Sequence, residues 1–227
     1  MEKVFSIAID GPGGAGKSSV AKMIARRLNA VYLDTGAMYR AVGLYMTRLG
    51  IPLDDAPAVI AQVLQTPLRV SARDGLQVTW LGDEDVSEAI RTPEMSMAAS
   101  AVSAIPEVRA HLVEMQREIA RGQAVVMDGR DIGTKVLPNA TLKIFLTASP
   151  EVRARRRWLE QQAKGSDETF EKVLEELIRR DWADTHRAAS PLTRAEDAVE
   201  VDTSNMTAEE VVERIVTLAL KAIGERA

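Results

Sequence analysis

The run Gly11-Pro12-Gly13-Gly14-Ala15-Gly16-Lys17-Ser18 satisfies G-x-x-x-x-G-K-[ST] at every fixed position. Residues this small let successive backbone N–H groups turn inward around phosphate oxygens, and a helix starting there adds positive potential. In such a loop Lys17 reaches the β- and γ-phosphates, and the Ser18 hydroxyl is placed to ligate Mg2+. A second run, Val125-Val126-Met127-Asp128, resembles the strand that carries the companion carboxylate of many nucleotide hydrolases, but Gly129 stands where their water-activating glutamate would be. No Asn-Lys-x-Asp guanine-reading motif occurs. The combination favours holding a nucleoside triphosphate for transfer onto a second bound substrate over hydrolysis or switching.

Arginines supply the candidates for that second substrate. In Asp34-Thr35-Gly36-Ala37-Met38-Tyr39-Arg40, Arg40 lies about 1.5 turns into a helix and could meet an acceptor phosphate. Asp128-Gly129-Arg130-Asp131-Ile132-Gly133 puts an arginine and a carboxylate just past a strand's carboxyl end. Arg153, Arg156 and Arg157 share one helical face, and Arg180, Asp184 and Arg187 repeat at i, i+4 and i+7. Residues 163–167, Ala163-Lys164-Gly165-Ser166-Asp167, read as a polar tip between two such helices, the shape of a lid that excludes water. The competing reading for each cluster is a solvated charged face or a capped turn.

The elements that must position these groups alternate. Strands are expected at 4–10, 31–34, 124–127, 142–146 and 198–201, each handing over to helical spacing. Gly50 reads as a residue just past a helix end, and Pro106 opens a helix with apolar Val108, Leu112, Met115 and Ile119, ending before Gly122, which looks mainly like a packing element. Thr207 and Glu210 form a capping box for the last helix. Alternating strands 68–72 and 76–81, around a turn at Arg73-Asp74-Gly75, break the rhythm as an inserted hairpin. The expectation is an α/β P-loop NTPase fold: a five-stranded parallel sheet with helices on both faces, an inserted small antiparallel β segment and a short helical lid. Ligands then gather at the strands' carboxyl ends.

Composition sets the outer limits. The 227 residues carry 29 Lys+Arg against 33 Asp+Glu, a net charge of −4, which offers nucleic acid no whole-chain attraction. With no cysteine and two isolated histidines, His111 and His186, thiolate nucleophiles, disulfides and Cys- or His-built metal sites drop out, leaving a hard, oxygen-bound ion. No apolar run approaches the roughly 20 residues of a membrane span, and no leader-like pattern opens the chain. A cytoplasmic monomer without nucleic-acid or membrane partners is expected.

Taken together, the P-loop, the run from Asp34 to Arg40, the segments Gly82-Asp83-Glu84-Asp85-Val86-Ser87 and Ile90-Arg91-Thr92, the run from Asp128 to Thr134, and Arg180 to Arg187 resemble the bacterial cytidylate kinase family. The resemblance extends from Ile7 to the final helix. It implies one domain over 1–227, with a core at 1–65, 93–152 and 188–227, a monophosphate-binding insert at 66–92 and a lid at about 153–187. It implies transfer of the γ-phosphoryl group of ATP, with Mg2+, to CMP or dCMP, yielding ADP and CDP or dCDP. Lys17, Arg130 and Arg187 would be catalytic; the loop Gly11 to Ser18, Ser19, Arg153 and Arg157 would meet ATP, and Ser18 the metal. Arg40, Arg130 and Arg187 would hold the acceptor phosphate, Ser100, Arg109 and Asp131 the cytosine edge, and Arg180 with Asp184 the ribose, with Thr35 and Tyr39 in the same site. Thr35 stands where the family also uses serine and keeps the hydroxyl.

These roles suit the substrates. Cytosine pairs an amino donor with ring-nitrogen and carbonyl acceptors, which a carboxylate beside an arginine complements. A phosphate ester's second pKa is about 6, so the nucleophile is already ionised and needs no general base; the two histidines are expected to be bystanders. A kinase for UMP, AMP or shikimate, and a nucleotide-dependent switch acting on RNA, remain the alternatives to be separated.

Overall fold

The computed structural model describes residues 4–73, 76–163 and 165–225; Asp74, Gly75 and Lys164, on which the expected hairpin turn and lid tip partly fell, lie outside the described residues. In chain order the elements are β1 (Ser6–Asp10), α1 (Lys17–Arg27), β2 (Val31–Asp34), α2 (Thr35–Arg48), α3 (Ala56–Val63), β3 (Leu68–Arg73), β4 (Leu76–Leu81), β5 (Glu84–Asp85), α4 (Pro93–Ser103), α5 (Pro106–Ala120), β6 (Val125–Gly129), a π-helical turn (Ile132–Val136), β7 (Leu142–Thr147), α6 (Pro150–Gln162), α7 (Phe170–His186), β8 (Val199–Asp202) and α8 (Ala208–Glu225).

Five strands form a parallel sheet in the order β2-β6-β1-β7-β8. Alternation along each strand sends successive side chains to opposite faces. Ile7, Ile9, Tyr32 and Val126 therefore join α1 and α8 in one core, while Ala8, Leu33, Val125 and Met127 join α2, α4 and α5 in the other. Helices cover both faces, as expected. α2 and α4 cross closely: a Cβ on Gly43 would stand 2.8 Å from Ala98 Cβ. Gly50 and Gly122 take φ of +69° and +74° at helix ends, and Thr207 and Glu210 make the reciprocal bonds of the capping box.

The insert is a three-stranded antiparallel sheet, β3-β4-β5, with the short third strand added to the expected hairpin. α6 and α7 pack on one another through a small apolar cluster of Ala154, Val173 and Leu177, flanked by Trp158, Phe170 and Leu174. Among the described residues, no helix is long and apolar enough to cross a membrane.

The sheet order decides where chemistry can happen. β2, β6 and β1 are neighbours, so the loops leaving their carboxyl ends, at Asp34, Gly129 and Asp10, open side by side. Register aligns Asp34 with Asp128 and Asp10 with Gly129.

Candidate active site

β1 hands over to the phosphate loop at Gly11, whose φ is +148° and where a Cβ would lie 1.9 Å from the Leu146 carbonyl oxygen, so only glycine fits. The loop ends at Gly16, which precedes the first helical residue, Lys17. Lys17 is buried and its Nζ donates to the Pro12 carbonyl at 2.7 Å. Burial pushes its ammonium down to about 7, Arg130 pushes the same way, and Asp128 opposes them. A polyphosphate set against Lys17 favours the charged form and raises that pKa. ADP binding at pH 8 should therefore take up on the order of one proton per site. Calorimetry in buffers of different ionisation enthalpy checks this; a buffer-independent binding enthalpy contradicts it.

Asp128, at the end of β6, faces α1. Its Oδ2 accepts the Ser18 hydroxyl at 2.8 Å and its Oδ1 the Tyr32 hydroxyl at 2.8 Å. Burial pushes its carboxyl up to about 6, and Asp34, one strand away on the same rung, adds to the rise. Burial also raises Tyr32, with Asp128 reinforcing it. Asp34 caps α2 by accepting the Ala37 N–H at 2.9 Å and pairs with Arg40 at 2.9 Å. Although burial works against its charge, Arg40 and that N–H hold its carboxyl below the ordinary value. From the insert, Gln77 grips the same residue: the Asp34 N–H donates to Gln77 Oε1 at 2.6 Å, and Gln77 Nε2 donates to the Asp34 carbonyl at 3.2 Å. Thr35 donates to the Asp128 carbonyl at 2.8 Å.

Between these loops and α4, α5 and α7 lies a cavity of about 240 Å³, edged by six arginines and Lys17 against four carboxylates. Such a balance suits a polyanion. Arg130 donates from Nε to Asp184 Oδ2 at 2.7 Å; burial works to lower its pKa, but Asp184, Asp128 and Asp181 together hold it above the ordinary value. Burial works to raise the Asp184 carboxyl, and Arg130 and Arg180 hold it below the ordinary value. Arg180 is pushed down to about 10 by burial and by Arg130, and Arg187 falls through burial and Arg109. Arg187 donates to the Ser103 hydroxyl at 3.3 Å. Arg109 forms a buried ion pair with Asp131, donates to the Ser103 carbonyl at 3.2 Å, and lies over the Tyr39 ring, 5.4 Å from its centroid. Burial pushes the Tyr39 hydroxyl up to about 12. Among the described residues, several buried donors at this wall, Arg40 Nε, Arg109 Nε, Arg180 Nε and Arg187 Nη2, have no protein acceptor. Buried donors in that condition are costly unless a ligand serves them.

Most residues expected from the sequence converge here. Gly13, Gly14, Lys17, Ser18, Thr35, Tyr39 and Arg40 edge the cavity with Ser100, Arg109, Arg130, Asp131, Arg157, Arg180, Asp184 and Arg187. Gly11, Pro12, Ala15 and Gly16 build the loop beneath it, and Ser19 is exposed on α1. The shared face of three arginines on α6 does not hold together. Arg153 is buried under the loop, donating to the Ala148 carbonyl at 2.9 Å and the Gly13 carbonyl at 3.0 Å and pairing with Asp181 at 2.7 Å. Arg156 turns to Thr203, donating to its carbonyl at 2.7 Å, and of the three only Arg157 edges the cavity. α5 is more than packing, since it carries Arg109. Sequence reasoning missed Gln77, Ser103, Asp181 and the pairing roles of Asp34 and Asp128. Asp128 meets Ser18 and Tyr32 only through the tertiary fold, whereas Asp34 meets Ala37 and Arg40 within its own stretch of chain.

Comparison with known proteins accords with this geometry. The family model described as cytidylate kinase matches residues 7–221. A cytidylate kinase of Caldanaerobacter subterraneus subsp. tengcongensis is 53% identical over 209 residues, covering 92% of this chain and 92% of that protein. One from Caldicellulosiruptor bescii is 48% identical over 221 residues, covering 97% and 98%. In fold alone the chain is similar to a gluconokinase from Sinorhizobium meliloti, with a TM-score of 0.50, 16% identity and coverage of 100% and 95%. A P-loop facing a buried arginine–carboxylate wall, and relatives this similar over nearly their whole length, place the chain in the cytidylate kinase family.

Proposed function

We infer that this protein transfers the γ-phosphoryl group of ATP to CMP or dCMP, giving ADP and CDP or dCDP. The observation that carries the reading is the buried Arg109–Asp131 pair on the wall of the cavity that Lys17 also edges. One carboxylate oxygen of Asp131 binds Arg109, and the other suits the cytosine amino group. Uracil presents a carbonyl at that place, and leaving buried polar groups badly paired is what gives a site strong discrimination.

Transfer needs an ionised acceptor oxygen, which a phosphate ester supplies near neutrality. The chain's task is to position and to neutralise. Lys17 and the loop N–H groups hold the donor phosphates, with Arg157 beside them. Arg40, Arg130 and Arg187 hold the acceptor phosphate in line, Thr35 and Tyr39 shape its bed, Ser100 joins the base contacts, and Arg180 with Asp184 meets the ribose. Aligning two reactants this way removes much of the barrier. Arg153, spent on Gly13 and Asp181, acts as a strut under the donor loop rather than as a phosphate ligand.

Mg2+ fits the donor set: the Ser18 hydroxyl, with the Asp128 carboxylate 2.8 Å behind it, is a hard oxygen site of the sparse kind this ion accepts. Ser18 would hold it and Asp128 would orient Ser18; when bound, the ion neutralises charge on the β- and γ-phosphates. A cytoplasmic monomer suits such an activity.

ADP release with ATP and Mg2+ against CMP, dCMP, UMP, AMP and no acceptor tests the proposal. CMP and dCMP should exceed UMP in kcat/KM by about 100-fold or more. Acceptor-independent hydrolysis, or a preference for AMP or UMP, would overturn it.

A further inference from the structure

None of the roles above uses the carboxylate of Asp10. It is the last residue of β1, directly before the first glycine of the phosphate loop, and it is 5% exposed. Its Oδ1 accepts the Ile132 N–H and its Oδ2 the Gly133 N–H, each at 2.7 Å. These two residues open the π-helical turn that follows Asp131, and Asp131 gives that turn no side-chain cap of its own. Its other bonds are internal, with the Lys135 N–H meeting the Asp131 carbonyl at 2.8 Å and the Leu137 N–H meeting the Ile132 carbonyl at 2.7 Å, or come to its far end from α5, where Arg117 donates to the Lys135 carbonyl at 2.7 Å and the Val136 carbonyl at 3.1 Å. The start of the turn is thus capped from the neighbouring strand, across the Asp10–Gly129 rung. The fit is close: a Cβ on Gly133 would stand 3.3 Å from Asp10 Oδ2 and 3.1 Å from Lys143 Cδ.

Stability alone does not explain the arrangement. Burial pushes the Asp10 carboxyl up to about 6 even though both N–H groups pull the other way. A folded-state pKa above the unfolded one means that the ionised group works against folding at neutral pH. What the bonds do supply is geometry. They link the residue before the donor loop to the residues after Arg130 and Asp131, which face the acceptor.

We propose that Asp10 is a positioning residue for the acceptor nucleotide, fixing Arg130 and Asp131 in register with Lys17 through its two bonds to the 132–133 backbone. The inference rests on the acceptor roles given above to Arg130 and Asp131.

Asp10→Asn keeps the shape but turns one of the two acceptors into a donor that faces an N–H. The Kd of the variant for CMP, by calorimetry, should rise about tenfold or more, while that for ADP stays within about twofold. Its preference for CMP over UMP in turnover should fall as Asp131 loosens. Gly133→Ala crowds the same clamp from the other side and should weaken CMP selectively, to a smaller degree. Equal losses for CMP and ADP, or unchanged CMP binding, would overturn the proposal. If Asp10→Asn does not fold, a folded Gly133→Ala with unaltered CMP affinity does the same. Failure of the wild-type protein to bind CMP at all would instead sink the functional reading on which the proposal stands.

Discussion

Lys17→Ala should lower kcat by about 10³-fold, about 4 kcal/mol of transition-state stabilisation, while the protein stays folded. The loss follows from the role proposed for Lys17 at the donor phosphates: Nζ edges the cavity with the Pro12 carbonyl as its acceptor at 2.7 Å. Survival of the fold follows from the same burial. The folded-state pKa of Lys17 is depressed to about 7 from an ordinary 10.5, so protonation opposes folding increasingly as pH falls below the ordinary value. Removing the amine removes that penalty, and the melting temperature at pH 7 should not fall. Steady-state kinetics beside a thermal melt would decide; near-normal turnover, or an unfolded variant, would contradict the account.

Asp131→Ala should cost both stability and selectivity. Arg109 is buried with Asp131 as its carboxylate partner, and breaking a buried pair from one side costs about 3–5 kcal/mol. For a chain of this length that lowers Tm on the order of 10 °C. The preference for CMP over UMP should collapse with it. Asp131→Asn separates the two effects: it retains one oxygen for Arg109 but offers the base a donor in place of an acceptor, so UMP gains relative to CMP. A variant with unchanged CMP preference would remove Asp131 from base reading.

What the sequence reveals and what it hides divide along a physical line. The phosphate loop, the five core strands and the capped last helix depend on residues adjacent in the chain, and each lies within a few residues of its expected place. α4 goes unread because its segment, Pro93-Glu94-Met95-Ser96-Met97-Ala98-Ala99-Ser100, shows little amphipathic contrast, its small Ala98 and Ala99 facing Gly43. Its start was nonetheless marked, by Thr92 accepting the Met95 N–H and by Pro93 in the first turn. α3 carries a similar mark in Asp55. The face shared by Arg153, Arg156 and Arg157 failed for a different reason. Helical spacing fixes only where side chains leave the helix, and their ends went to Gly13, Thr203 and the cavity, partners that only the tertiary fold brings near. Asp10 and Asp128 belong to the same class, since the fold, not sequence distance, brings them to the 132–133 backbone and to Ser18 and Tyr32, whereas Asp34 meets Ala37 and Arg40 within its own stretch of chain and only Gln77 from afar.

The grip of Gln77 on Asp34 also bears on how the molecule behaves among its own copies. β2 is an edge strand of the parallel sheet, and an edge with open N–H and C=O groups invites a strand from another chain to add on. At the carboxyl end of β2 both groups of Asp34 are already taken by one side-chain amide, which stands in for a residue of a further strand. The insert closes the edge there without extending the sheet. A contact made beside the cavity thereby also leaves that end of the sheet edge without open backbone groups for another strand.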